Sequence, residues 1–224
     1  MGMENPSRHE RTWFRKAISV WARRGMRDFP WRDSRDPYEI LLAEVLLQRT
    51  QARQVAASFN SIIQRYPTIK ALHSASPHDI AEAIRPLGLS KRAVTIAQMA
   101  GALTFDFDGE VPSEPKLLSR LPGVGRYVAS AVACFAFGTR EAIVDANIIR
   151  VISRYFGWTS TKARPRDDDT VWSFVETLLP SRSVRDFNWA LIDFAALVCK
   201  PRSPECPACP LRTRCKWATA RANT

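Results

Sequence analysis

Apolar residues along this chain recur at intervals of three and four, the spacing of one helix face. Strand-like alternation bounded by hairpin turns is absent from the sequence, so the predicted fold class is all-α. Trp13, Phe14, Ala17, Ile18 and Trp21 share one face of an amino-terminal helix expected at about 11–24. Capping residues mark the helix starts. Asp36-Pro37-Tyr38-Glu39 offers an acceptor, a proline at the first helical position and a capping-box carboxylate ahead of ILLAEVLLQRT. Ser76-Pro77-His78-Asp79 repeats the device. Ser90 is placed to cap KRAVTIAQMAGAL, Ser113 to cap EPKLLSRL, and Asp167-Asp168-Asp169 puts negative charge at the start of TVWSFVETLL.

The elements are short and closely joined, and they divide in two. From about Trp31 to Gly138 the sequence is a run of compact helices and tight turns, whereas the carboxyl-terminal part ends in a coil rich in cysteine and proline. A chain of 224 residues has room for two packed units. With 46% hydrophobic and 25% charged residues it is globular, and no apolar run reaches the roughly 20 residues needed to cross a bilayer. The opening stretch MGMENPSRHERTWFRK lacks the uninterrupted apolar core of a secretion signal, which predicts an intracellular protein with no membrane partner. Charge changes the picture further. A formal net charge of +11 and a pI near 10.0 find their simplest use in attraction to a polyanion such as nucleic acid.

Four of the five cysteines, Cys199, Cys206, Cys209 and Cys215, fall at the spacing C-x6-C-x2-C-x5-C. Disulfides suit an intracellular chain of this size poorly. Zinc commonly uses two separated C-x2-C knuckles, and only one is present here. Four thiolates in a single pass better suit a [4Fe-4S] cluster, with zinc the competing occupant. The intervening prolines stiffen the loop, and Lys200, Arg202, Arg212, Arg214 and Lys216 make it basic against the single acid Glu205. Such a loop can contact phosphates, and its cations can also balance the charge of thiolate ligands. Cys134, in ASAVACFAFG, reads as a small core residue.

In Leu121-Pro122-Gly123-Val124-Gly125, two glycines around one valine allow a tight turn between helices and a close approach of backbone amides to an anion. Amides at the start of RYVASAVACFAF would then face a phosphate with the helix dipole behind them. The same turn also serves as a plain helix connector. Asp145, twenty residues beyond Gly125, can be the N-cap of the next helix or a carboxylate held at the mouth of a cleft. Glu44 shares a face with Ile40, Leu41 and Leu47, where poor solvation pushes a carboxyl pKa upward. One carboxyl kept protonated and another kept ionised divides acid work from cation stabilisation.

LPGVGRY with VDANIIRV downstream, FPWR with AEVLLQRTQ upstream, and the cysteine tail form an ordered set. Over roughly Trp13 to Trp217 the chain resembles the helix-hairpin-helix DNA glycosylases of the endonuclease III superfamily. The resemblance implies a six-helix barrel domain at 31–140 carrying the helix-hairpin-helix. It implies a second domain, built from 1–30 and 141–224, that holds a [4Fe-4S] cluster on Cys199, Cys206, Cys209 and Cys215, with a DNA cleft between the two. Pro122, Gly123, Val124 and Gly125, with Arg126, then grip a backbone phosphate of double-stranded DNA. Asp145 faces the sugar of an extruded nucleotide, and Glu44 supplies a proton to the leaving base. Gln48, Arg49 and Leu87 are wedge candidates, Leu87 being equally readable as a core leucine.

Bifunctional members of that superfamily place a lysine where Tyr127 stands, and a phenol cannot form the imine that leads to strand cleavage. The resemblance therefore implies a monofunctional enzyme. Adenine glycosylases of the group commonly carry serine at that position, and thymine glycosylases acting opposite guanine carry tyrosine. Arg49 and Leu89-Ser90 also depart from the adenine enzymes. The expected function is excision of thymine, and uracil, opposite guanine in base excision repair. The alternatives are an adenine glycosylase acting on A:G or A:8-oxoguanine and a non-catalytic iron-sulfur DNA-binding module. The expected partner is mismatched duplex DNA, the expected state a monomer, and the expected place the cytoplasm, at the nucleoid.

Overall fold

The computed structural model describes residues 6–222, so the first five residues of the amino-terminal stretch and the last two of the chain lie outside that range. Among the described residues every regular element is helical, and no helix is long and apolar enough to cross a membrane. The chain divides into two compact units, a hairpin unit of Asp28–Thr139 and a terminal unit of Met1–Arg27 with Arg140–Thr224. The breaks thus fall at 27/28 and 139/140, against 30/31 and 140/141 expected from the sequence. Helix α1 (Arg8–Ala22) opens the terminal unit. The hairpin unit follows with α2 (Pro30–Asp33), α3 (Pro37–Leu47), α4 (Ala52–Arg65), α5 (Ile69–His73), α6 (Pro77–Ile84), α7 (Ala93–Asp106), α8 (Pro115–Leu118) and α9 (Arg126–Phe137). The terminal unit resumes with α10 (Ala146–Phe156), α11 (Asp169–Leu178), α12 (Val184–Leu197) and α13 (Lys216–Ala222).

Several helix starts are made by the side chains that the sequence marks. Asp36 accepts from the Tyr38 N–H at 2.8 Å, Ser76 from the Asp79 N–H at 3.1 Å, and Asp168 from the Thr170 N–H at 3.0 Å. Helix α1 begins three residues earlier than expected because Ser7 and Glu10 form a reciprocal capping box, each side chain bonding the other's backbone N–H. Two expected caps are not made. Ser90 lies inside a 3₁₀ turn, Ser90–Arg92, that leads into α7, and the turn closes backbone to backbone through Arg92 N–H to Leu89 O. Helix α8 starts at Pro115, whose missing N–H reduces the need for an acceptor, and Ser113 stands outside it.

In the hairpin unit α3 packs against α9, and both are buried nearly all round. Ile40, Leu41, Leu42, Ala43, Val45 and Leu46 of α3 face Val128 to Phe135 of α9 as the apolar middle of the unit. A helix apolar on every side must be a central one, which is why both runs lack a polar face. Cys134 is part of this interior.

In the terminal unit α1 lies on α11 and α12, and α10 lies on α12 and α13. Phe14, Tyr155, Phe156 and Phe174 meet there with ring centroids 4.5–5.2 Å apart. Tilted and edge-on pairs of this kind add to the area they bury. The segment leaving α1 is fixed by Asp193 of α12, which is fully buried. Its carboxylate accepts from Arg27 N at 2.7 Å and Arg27 Nε at 2.7 Å, with Arg27 Nη2 at 2.6 Å. A buried carboxylate is tolerable only while its partners are present. Replacing Arg27 by Ala, which leaves that carboxylate buried without its guanidinium, should therefore lower the unfolding free energy by about 3–5 kcal/mol, measured by urea unfolding with an unchanged m-value.

Candidate active site and cysteine-lined cavity

Within the hairpin unit Glu44 sits at the centre of α3 and is 4% exposed. Burial pushes its carboxyl up to about 7, a rise that the nearby Arg32 guanidinium partly opposes. Its Oε2 is buried without a hydrogen-bond partner. A polar atom left unsatisfied in a packed helix is costly, of order 1–3 kcal/mol, and such a group is retained where a reacting partner is meant to complete it. Arg32 comes from the FPWR stretch on α2, a connection that the spacing of the two segments in the sequence does not reveal.

Helix α3 ends at Gln48, and Arg49 follows in the left-handed region at φ 57°. Gln48 Nε2 donates to Gly123 O at 2.8 Å, which ties the end of α3 to the turn before α9. In that turn Val124 N–H closes on Leu121 O at 3.1 Å, and both side chains are buried as anchors. Gly123 has φ +79°, and a Cβ there would stand 2.7 Å from Thr95 Cγ2, so both backbone and space require glycine. Gly125 is different. Its backbone is extended, and it precedes α9 with no side-chain cap. Arg126 is exposed beside it, Pro122 is half-buried, and Tyr127, the second residue of α9, is half-buried. Leu87 is 6% exposed within a 3₁₀ turn.

Within the terminal unit Asp145 is the N-cap of α10. Its Oδ1 accepts from the Ile148 N–H at 2.7 Å and its Oδ2 from Asn147 Nδ2 at 2.7 Å. Both expected roles of Asp145 are compatible, because the cap holds a half-buried carboxylate in one orientation. The chain of contacts continues. Asn147 Oδ1 accepts from Arg150 Nη1 at 2.9 Å, and Arg150 Nε donates to Cys199 O at 2.8 Å. One turn further, Arg154 Nη1 reaches Lys200 O at 2.7 Å and Cys199 Sγ at 3.5 Å. Asn147, Arg150 and Arg154 were not among the residues singled out from sequence. The available signal was an Asn two residues after the capping acid and two arginines four apart on one helix face.

Cys199, Cys206, Cys209 and Cys215 line a single cavity together with Val151, Tyr155, Phe194, Val198 and Leu211. All four thiols are free and half-buried. Burial, reinforced by the neighbouring thiols, pushes Cys209 up to about 11 and raises Cys215 as well. Among the described residues no three His, Cys, Asp or Glu side chains are arranged to hold a single metal ion. Arg154 and Arg214 stack on Trp217 and Trp13 at 4.6 and 4.8 Å, which places cations around the cavity without exposing its apolar wall.

Residues 42–175 match the model of the HhH-GPD superfamily of base excision DNA repair proteins, and the chain belongs to that family. It is 38% identical over 216 residues to a thymine/uracil-DNA glycosylase of Methanothermobacter thermautotrophicus, covering 96% of this chain and 97% of that one. It is also 38% identical over 208 residues to an adenine DNA glycosylase of Mycobacterium tuberculosis, covering 91% of this chain and 67% of the relative. The solved structure of a thermostable thymine-DNA glycosylase superposes with a TM-score of 0.90 at 38% identity, over 95% of this chain and 98% of that one. The expected all-α glycosylase fold is therefore the observed one.

Glu44 gives a stability test. Its folded pKa of about 7 lies above the ordinary carboxyl value of 4.5, so its contribution is fully present below about 4.5 and is lost as pH rises through about 7. Between those limits the wild type should lose stability, of order 3 kcal/mol, relative to Glu44→Gln. Thermal or urea unfolding of the two proteins at pH 4.5 and pH 8 measures the difference.

Proposed function

We propose that the chain is a monofunctional DNA glycosylase that excises thymine, and uracil, opposite guanine. The observation that carries the reading is Tyr127, a phenol two residues past the glycine turn, in a chain whose similarity to thymine/uracil-DNA glycosylases runs nearly end to end. A phenol supplies no amine for imine formation at C1′, so the sugar is left intact as an abasic site.

The turn at Pro122 to Gly125, with Arg126, binds a backbone phosphate at the start of α9, where no side chain caps the helix and its dipole favours an anion. Loss of the base builds positive charge on the sugar, and the Asp145 carboxylate, fixed by Ile148 N–H and Asn147, stabilises that charge and orients water. The departing base gathers negative charge. Glu44, whose carboxyl titrates near neutrality, supplies a proton or hydrogen bond to it, and activity is expected to fall as pH rises through about 7. Gln48 and Arg49 fill the space that the flipped nucleotide vacates. Flipping costs a few kcal/mol and least for a mispaired base, which favours a mismatch before any base is read.

The cysteine cavity suits a [4Fe-4S] cluster held by Cys199, Cys206, Cys209 and Cys215. The four thiols line one cavity, and their C-x6-C-x2-C-x5-C spacing in a single pass suits a cluster better than the two separated knuckles common for zinc. When bound, a cluster supplies a rigid, charge-bearing crosslink for the basic loop. Arg150 and Arg154 hold the loop's carbonyls in place for it.

The decisive experiment incubates the protein with duplexes containing T:G, U:G, A:G or A:8-oxoguanine and compares strand breaks with and without alkali. Alkali-dependent breaks at T:G and U:G are expected. Cleavage only of the adenine duplexes would replace the thymine reading with the adenine one, and efficient breakage without alkali would contradict the role given to Tyr127. Asp145→Asn should bind DNA while losing at least about a hundredfold in excision rate. Unchanged excision would leave Asp145 as a helix cap alone. Brown absorbance of the purified protein tests the cluster.

A further inference from the structure

The terminal unit carries a second basic feature, distant in sequence from the glycine turn and from the cysteines. A groove is lined by Arg8, Arg11, Arg15 and Lys16 of α1 and by Arg140. Positions 8, 11 and 15 lie one turn apart on one face, where like charges destabilise a helix. Three of the five cations have a structural use. Arg15 Nη1 donates to Leu179 O at 3.1 Å and Arg140 Nη2 to Glu176 O at 2.9 Å, at the carbonyl end of α11 that favours positive charge. Arg11 Nη1 donates to Pro6 O at 3.0 Å, and none of these contacts accounts for Arg8 and Lys16. Burial lowers the Arg15 pKa, and Arg11, Arg140 and Arg8 lower it further, so the guanidinium groups repel one another. The acid that meets them is Glu176, 3.3 Å from Arg140 Nη1, and both side chains of that pair are largely exposed. The remainder of the lining is hydroxyl and aliphatic, with no acid and no aromatic ring among the described residues.

We propose that this groove binds the phosphate backbone of duplex DNA, as a contact surface additional to the glycine turn. Guanidinium forks match phosphate oxygens in pairs, and Arg15 and Arg140 are already held in orientation by α11. Without a ring to stack on, bases are not read, and the contact is independent of sequence. A groove of about 710 Å³, open along one side, admits a stretch of backbone. An acidic protein would need a buried apolar anchor as well, and Leu179 and Pro180 are all the lining offers.

The test is a salt titration of binding to a fully matched duplex, which separates this surface from the choice of excised base. Each lost phosphate contact reduces the slope of log K against log salt by roughly 0.9. Arg8→Gln/Arg11→Gln/Lys16→Gln should lower the slope by about two to three, and Lys16→Gln alone, at an exposed position, by about one. A variant of equal charge loss in the other unit, Arg65→Gln/Lys70→Gln/Arg85→Gln, should leave the slope near that of the wild type. Equal changes in both triple variants, or no change in the groove variants, would overturn the proposal. So would a groove variant that loses binding to polyglutamate while its duplex slope is intact, since the groove would then be a protein-docking surface.

Discussion

The terminal unit depends on one carboxylate. Asp145 satisfies the Ile148 amide in the first turn of α10 and through Asn147 and Arg150 connects to the backbone of Cys199, so the start of the helix and the start of the cysteine loop share one hydrogen-bonded path. Each contact is ordinary in strength, about 1 kcal/mol net for a neutral pair and somewhat more where a charge takes part. What matters is that they are in series. The aromatic packing of α10 against α1 fixes the helix axis, the cap fixes its first turn, and the two arginines fix the loop that follows α12. The proposed catalytic carboxylate is therefore held by the same contacts that fold its unit.

Glu44 shows the opposite economy. Its helix gains from apolar burial on every side, and the carboxyl interrupts that gain without a partner for Oε2. The conflict between local packing and this residue is what supports the role proposed for it, because a leucine would stabilise α3 and serve no chemistry. Arg32 moderates the conflict without removing it.

Much of this was legible in the sequence where the physics is local. Asp36, Ser76 and Asp168 cap the helices that follow them because each bonds an amide only two or three residues away. The burial of Glu44 followed from helical periodicity, and the turn at Gly123 from the need for a positive φ. Ser90 and Ser113 failed as caps because a 3₁₀ turn and a proline changed which amides needed acceptors. Contacts between distant segments were illegible. Arg27 and Asp193 are 166 residues apart, and Gln48 and Gly123 are 75 apart, so no local pattern announces them. Leu87, readable as wedge or core, is buried within its unit.

The bond from Gln48 to Gly123 makes the end of the α3 segment and the glycine turn one body. Glu44 lies one helical turn before Gln48, so under the roles proposed above the distance from a phosphate in the turn to the proton donor is set inside the protein. On that reading the chain would measure DNA as a ruler with one fixed graduation: whichever phosphate occupied the turn would determine which nucleotide could be offered to the acid. Movement along the duplex would then be a series of discrete placements, each an all-or-none trial of a single base.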